Sequence, residues 1–304
     1  MPPSDLRIVF LGMICDSSTA VLEVLLAAGL QVCAVVVAAA RGAAAGPIAA
    51  LAPPRAASPL AIASPFLERN IAHLAWERGV ATFELRQPGA PEARQALADL
   101  RPDLACVACF PRRIPAPLLA VPRLGFLNMH PSLLPAHRGP EPLFWTFRAG
   151  ERQAGATIHF MDEGLDTGDI VAQAPLDLPD GISGAAAERR CAMLGGRLMA
   201  EALAALAAGA LERRPQPPGG SYESWPGPQH WRIGAEWPAR RAFNFMRGTA
   251  EWRRPYIIDA GGRELLIEAA IDYDADASLG VPLARVGDEV RIQCAPGVLR
   301  ARAG

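Results

Sequence analysis

The chain has 304 residues, 51% of them hydrophobic, and a formal net charge of −1. That is enough apolar material for a large domain plus a smaller one, and the balanced charge excludes a whole-chain basic field of the kind that captures nucleic acid. All 30 basic residues are Arg, which removes any Lys nucleophile or Schiff-base chemistry. The six Cys (Cys15, Cys33, Cys106, Cys109, Cys191 and Cys294) are scattered, mostly in apolar runs. The N-terminus lacks a basic segment, a long apolar core and a cleavage site, so no secretory signal is expected. The apolar stretch Val24–Ala40 is split by Gly29 and Gln31, and reads as a helix followed by a strand rather than a membrane span. A cytoplasmic protein with reduced thiols is expected.

Leu6–Leu11 reads as a strand. Asp16, Ser17 and Ser18 offer capping oxygens to a helix reaching about Ala28, and Gly29 can stop it. The β-branched run Gln31–Val37 is a second strand, and strand, helix, strand implies parallel pairing with a right-handed crossover. Residues 38–65 are rich in Ala, Pro, Gly and Ser and carry only Arg41 and Arg55 as charges; a loop this long is functional or disordered. Helix Leu67–Arg78, strand Val80–Phe83, helix Pro91–Leu100, and strands Leu104–Ala108 and Gly125–Asn128 follow. A helix near Pro142–Arg148 leads to strands Ala156–Phe160 and Ile170–Ala174 and to an Ala-rich helix over about Gly184–Ala208. Residues 1–211 form the large domain. The Pro/Gly-rich stretch 212–221 reads as a linker. Residues 222–304, with a helix near Ala239–Arg247 and strands Tyr256–Asp259, Glu264–Ile267 and Glu289–Gln293, suit a small barrel.

The chemistry concentrates between Leu127 and Ile170. Asn128 and His130 stand at the carboxyl end of an apolar strand, two residues apart, so their side chains share a face. Ligands of open parallel sheets bind at that edge. Asp162-Glu163-Gly164-Leu165-Asp166-Thr167-Gly168 forms an acidic loop between two strands. A neutral amide donor, an imidazole and a carboxylate at one sheet edge can serve acyl transfer.

The run Asn128-x-His130-x-Ser132-Leu133-Leu134-Pro135-x-x-Arg138-Gly139, followed by Gly155-x-Thr157-x-His159 and Asp166-x-Gly168-x-Ile170, resembles the signature of the folate-dependent formyltransferases. Arg7–Val37 and, more weakly, Trp237–Arg247 extend the resemblance over nearly the whole chain. It implies a Rossmann-like, mostly parallel α/β domain followed by a small barrel-like (OB-like) domain. It also implies transfer of a formyl group from 10-formyltetrahydrofolate to a primary amine, with Asn128, His130 and Asp166 as the catalytic set and no metal. By the same resemblance the folate pocket matches Arg112, Arg113 and Ile114, then Ser132, Leu133, Leu134 and Pro135, then Asp162, Glu163, Gly164 and Leu165. Arg112 and Arg113 depart from the apolar residues expected there; their side chains are candidates for the anionic tail of the folate.

Blander roles stand beside these. His159 reads as a structural mid-strand residue bonding the acidic loop, His137 as an exposed turn residue, and Arg138 as a loop anchor. Cys106-Val107-Ala108-Cys109 spells CxxC but has no second ligand pair, and reads as a buried strand with its cysteines packed on opposite faces. Gly12 is not followed by GxGxxG, against dinucleotide binding. Trp225, Trp231, Trp237 and Trp252 read as barrel core rather than a nucleic-acid surface. The two-domain layout favours a methionyl-tRNA formyltransferase-like acceptor, initiator Met-tRNA. Residues 38–65, however, lack the basic insertion that the tRNA enzymes of the family carry. A nucleotide sugar as the amine, and hydrolysis of 10-formyltetrahydrofolate, remain alternatives. Oligomeric state leaves no signal.

Overall fold

The computed structural model describes residues 5–39, 46–53, 69–234 and 236–303. An eight-stranded sheet has the order β3-β4-β2-β1-β5-β6-β7-β8. Its strands are β1 (Ile8–Gly12), β2 (Val32–Ala38), β3 (Ile48–Ala50), β4 (Ala81–Leu85), β5 (Leu104–Ala108), β6 (Phe126–His130), β7 (Gln153–Phe160) and β8 (Ile170–Asp177). β1, β2, β4, β5 and β6 run parallel; β3 is antiparallel to β4, and β7 to β6. The order reverses between β1 and β5, the switch point at which open α/β sheets bind ligands.

Two apolar layers cover this sheet. Helices α1 (Asp16–Ala27), α2 (Ile71–Trp76) and α6 (Gly184–Ala207) bury Val21, Leu22, Leu25, Ile71, Leu74, Met199 and Leu203 against Phe10, Leu127 and Met129. Helices α3 (Pro91–Asp99) and α4 (Ala116–Leu119) bury Ala93, Leu97 and Leu118 against Val9, Leu11, Val107 and Phe126. Each large side chain so buried contributes roughly 1.5–3 kcal/mol. Because Leu127 and Met129 face the first layer, Asn128 and His130 share the face of Phe126.

The chain separates into two compact units. One holds residues 1–138, 155–175 and 189–221; the other holds 139–154, 176–188 and 222–304. This differs from continuous domains over 1–211 and 222–304 joined by a linker at 212–221. The segment 212–221 is bound into the first unit because Arg214 exchanges two backbone hydrogen bonds with Ile170, at 2.9 and 2.8 Å, and Ser221 donates to the Pro135 carbonyl. The second unit contains helices α5 (Pro142–Ala149) and α7 (Ala239–Gly248). It also contains a six-stranded sheet of order β12-β13-β14-β11-β10-β9. These strands are β9 (Arg232–Ile233), β10 (Tyr256–Asp259), β11 (Glu264–Asp274), β12 (Leu283–Val286), β13 (Glu289–Gln293) and β14 (Val298–Ala303). Where a barrel-like domain is expected, its strands form this largely antiparallel sheet. Its core is aromatic: Phe144 lies edge-on to Trp231 and Phe245, with centroids 5.3 and 5.4 Å away. Trp231 and Trp237 are buried as expected, whereas Trp225 is 61% exposed.

Several expectations shift by a few residues. β6 runs two residues past Asn128, so Asn128 and His130 both belong to the strand. β3 occupies part of the expected loop 38–65; residues 40–45 and 54–65 of that loop lie outside the described residues, as do 67–68 of the expected helix Leu67–Arg78. Cys106 is buried in β5, but Cys109 lies beyond the strand end with φ +53° and does not pack as a strand residue. Among the described residues no helix is long and apolar enough to cross a membrane.

Gly155 is needed where β7 passes the turn after β6. A Cβ there would lie 2.4 Å from Leu133 Cδ2 and 2.8 Å from the Ala174 carbonyl, and backbone gives way least. Gly155→Ala is expected to destabilise the protein by about 1–3 kcal/mol in urea unfolding. Gly89→Ala, which meets nothing within 4 Å, should stay within about 0.5 kcal/mol of wild type.

Candidate active site

Four side chains converge at the carboxyl end of β6. Asn128 and His130 come from β6, His159 from the paired residue of the antiparallel neighbour β7 (Asn128 opposite His159), and Asp166 from the loop between β7 and β8. Asp166 Oδ1 lies 3.7 Å from His130 Nδ1 and 3.6 Å from His159 Nε2. Asn128 Nδ2 lies 3.1 Å from His159 Nε2.

The hydrogen bonds assign the tautomers. His159 Nδ1 is 2.9 Å from the Phe160 carbonyl, which only accepts, so Nδ1 carries the proton. In the neutral ring Nε2 then accepts from Asn128 Nδ2. This sets the amide so that its NH₂ group lies on the His159 side, with a second N–H left for another acceptor. His130 Nε2 is 2.8 Å from the His137 carbonyl and must donate to it. His130 Nδ1, facing Asp166, is thereby the nitrogen with the lone pair. Burial pushes the His130 imidazole below its ordinary pKa; the Asp166 carboxylate and the His137 bond oppose this without reversing it. At neutral pH the group is a free base beside a carboxylate that can stabilise its protonated form.

The acidic loop is held from several sides. Asp162 Oδ1 accepts from the Gly164 amide at 2.9 Å and the Thr167 hydroxyl at 2.7 Å. Gln216 Nε2 donates to the Asp166 and Gly168 carbonyls at 2.8 and 2.9 Å, while its Oε1 accepts from Arg138 at 2.7 Å. Asp166 itself adopts φ +55°, a region that costs a non-glycine residue about 1–3 kcal/mol and clusters at functional sites.

The expected folate-binding residues occupy three segments of the same unit. Arg113 donates to the Glu163 carbonyl at 2.5 Å and so joins two of them, and Arg112 donates to the Ala39 carbonyl at 2.9 Å. Both guanidiniums thus bind backbone. Ile114 is core. The Ser132 hydroxyl donates to the Ala136 carbonyl at 2.7 Å. Leu133 packs over Gly155. The Leu134 amide donates to Thr157 Oγ1 at 3.2 Å, and its carbonyl accepts from Gln173 at 2.9 Å. Pro135 follows a cis peptide. Leu165, at the loop tip, is 49% exposed.

His137 is not the exposed turn residue expected. It is buried, at φ +55°, because its carbonyl receives His130 and its amide donates to Ser221 Oγ at 2.8 Å. Arg138 anchors the loop as expected, but through the amide of Gln216 rather than a carboxylate. Gln216 and Gln173 were missed; a lone Gln in a Pro-rich stretch or an edge strand carries no sequence signal. A cavity of about 310 Å³ lies elsewhere, within the second unit, lined by Arg152, Arg240, Arg241 and Asn244 among others. There Arg240 pairs with Asp180, and Arg241 donates to the Arg148 carbonyl. No group of His, Cys, Asp and Glu among the described residues could hold a metal ion.

A sequence profile of the family described as "Formyl transferase" matches residues 7–203. Methionyl-tRNA formyltransferase of Anaeromyxobacter dehalogenans (strain 2CP-C) is 36% identical over 217 residues, 70% of this chain and 70% of that protein. The enzyme of the same name from Chloroflexus aggregans is 33% identical over 284 residues, 92% of this chain and 85% of that one. Among solved structures, an N-formyltransferase from Helicobacter canadensis, in complex with folinic acid and dTDP-3-aminofucose, superposes with a TM-score of 0.62 at 15% identity, covering 98% of this chain and 99% of that one. HypX from Aquifex aeolicus, in complex with tetrahydrofolic acid, gives 0.58 at 18% identity, covering 98% and 44%. At these identities the structures show a shared fold.

The His130 environment predicts a pH dependence of stability. With the folded pKa below the ordinary value of about 6.5, the unfolded chain takes up the proton first. Stability from this group is therefore full above about pH 6.5 and is lost as pH falls toward the folded pKa. Glu141, pushed up to about 7 by burial and by Glu188, acts in the opposite sense, so the readout is a difference. Unfolding free energies of wild type and His130→Gln, measured from about pH 5 to 7, should show a steeper acid-side loss in wild type; parallel curves would contradict the assignment.

Proposed function

The chain belongs to the formyl transferase family, and from that premise we propose that it transfers the formyl group of 10-formyltetrahydrofolate to the primary amine of initiator Met-tRNA at the cluster of Asn128, His130 and Asp166. The observation that carries this reading is the tautomer pattern. One amide N–H and one unprotonated imidazole nitrogen are available at the same strand end, with a carboxylate 3.7 Å from that nitrogen.

The neutral amine attacks the formyl carbon, and the carbonyl oxygen becomes an oxyanion. The free Asn128 N–H donates to it. His130 Nδ1 takes the proton that the amine nitrogen releases, and Asp166 stabilises the imidazolium. The proton then goes to the departing folate nitrogen as the C–N bond to the formyl carbon breaks. That nitrogen is an aryl amine and leaves more readily than an alkyl amine. His159 keeps Asn128 in register, and the His137 carbonyl keeps His130 in its tautomer.

The acceptor is read from the second unit. Trp225 is 61% exposed, its ring tilted against Trp252 with centroids 5.7 Å apart. Arg253 and Arg254, which follow Trp252 in the chain, are exposed, and among the described residues neither guanidinium has a hydrogen-bond or ion-pair partner. An aromatic face stacks a base for roughly 1–3 kcal/mol, and free arginines bind phosphate. This supports a nucleotide-bearing amine. Of the two candidates, Met-tRNA is favoured over a nucleotide sugar by the curated relatives.

Asn128→Ala is expected to lower kcat about 10²–10³-fold and His130→Ala about 10²–10⁴-fold, with folate binding retained. Asp166→Asn removes a charge that raises the His130 pKa, so the acidic limb of kcat/KM should move to lower pH. These are read as tetrahydrofolate release with and without amine; release that ignores the amine would mean a hydrolase. Reversing charge at Arg253 and Arg254 should weaken formylation of charged tRNA and flatten its salt dependence while leaving folate binding intact. Unchanged tRNA kinetics would remove the second unit from acceptor recognition.

A further inference from the structure

Two cysteines that formyl transfer does not use meet at the carboxyl edge of the eight-stranded sheet, where its strand order reverses. Cys15 caps α1, its sulfur accepting the Ser18 amide at 3.4 Å. The Ser18 hydroxyl lies 3.4 Å from the same sulfur and donates to the Ala108 carbonyl at 2.8 Å. Cys109 follows Ala108 directly, and its φ of +53° turns it out of the strand. There the Cys109 side chain reaches the Cys15 thiol, whose Ser18 partner binds the carbonyl of the residue just before Cys109. Ala108 pairs with Met129, so Cys109 leaves the sheet beside the strand that carries His130.

The six thiols are not alike. The Cys109 hydrogen bond, opposed by burial and helped by Ser18, brings Cys15 down to about 6. Burial pushes Cys106 up to about 12 and Cys294 up to about 11, and raises Cys33. Cys15 and Cys109 are each half-buried, open to a small reagent. A thiolate near neutral pH, reachable and beside a second thiol, is the arrangement of a reactive rather than a packing cysteine.

We propose that Cys15 and Cys109 form a peroxide-reactive thiol pair that closes reversibly to a disulfide. The Cys15 thiolate attacks one oxygen of the peroxide and the O–O bond breaks. Cys15 becomes a sulfenic acid, and the departing hydroxide takes a proton to become water. The Cys109 sulfur then attacks the Cys15 sulfur, the S–O bond breaks, and a second water leaves with the Cys109 proton. The two sulfurs together lose two electrons, and the peroxide is reduced to two waters. A thiol reductant reverses the closure.

The test uses the wild-type chain. It is treated with hydrogen peroxide, digested without reduction and mapped by mass spectrometry. Fragment ions must locate the bridge, because trypsin leaves Cys15 with Cys33 and Cys106 with Cys109. One crosslink, Cys15 to Cys109, removed by dithiothreitol, is expected. Over-oxidation of Cys15 without that crosslink, or bridges to the other cysteines, overturns the proposal. A second readout is iodoacetamide alkylation of Cys15 against pH. Its midpoint should lie near 6 in wild type and rise in Cys109→Ser; a wild-type midpoint at the ordinary thiol value of about 8.5 overturns it.

Discussion

The hydrogen bond from His130 Nε2 to the His137 carbonyl, 2.8 Å long, decides what the rest of the site can do. A carbonyl accepts and never donates, so the bond commits the proton of the neutral ring to Nε2 and leaves the Nδ1 lone pair toward Asp166. Without it the ring could flip or change tautomer, and the nitrogen beside the carboxylate would be a donor. Burial adds the second constraint. It disfavours the charged imidazole, so the group waits as a base, and the nearby carboxylate limits the cost once a proton arrives.

The turn that supplies this carbonyl is held by much of the polar structure around it. Thr157 Oγ1 donates to the Ser132 carbonyl at 2.7 Å and receives Gln173 Nε2 at 2.8 Å, which ties the turn to β7 and β8. The Ser221 hydroxyl oxygen accepts the His137 amide at 2.8 Å. Gln216 reaches both the turn, through Arg138, and the acidic loop, through the carbonyls flanking Thr167. One side chain thereby couples the position of the imidazole to that of the carboxylate. The unfavourable φ of Asp166 is tolerated because its loop is over-determined by such bonds.

The same sheet edge explains why these polar and thiol side chains crowd together. Residues just past the ends of β1, β5 and β6 lie side by side where the strand order reverses, and helix α1 begins there with its Ser18 amide capped by the Cys15 sulfur. That geometry gathers an amide, two imidazoles and a carboxylate near one strand end, and two thiols near its neighbours. Their different protonation follows from their partners rather than from their positions alone.

Much of this was legible in the chain. Periodicity located β5, β10 and β13 to the residue, and α6 and α7 to within one, because apolar or alternating runs bounded by clear stops fold locally. The period of two along β6 put Asn128 and His130 on one face, and the gapped motif tied both to Asp166. Three things waited for tertiary structure. His137 looks like a surface turn residue until its carbonyl is seen to meet His130. Gln216 sits in a Pro-rich stretch that reads as a linker, because only a distant loop gives its amide a purpose. Cys109 appears to continue the strand of Cys106 until the backbone turns left-handed and brings it to Cys15. Sequence alone determined which residue types line the sheet edge, since strand alternation is a local rule. Which atom carries each proton was decided by packing, since a tautomer or a thiol pKa depends on partners that lie tens of residues away along the chain.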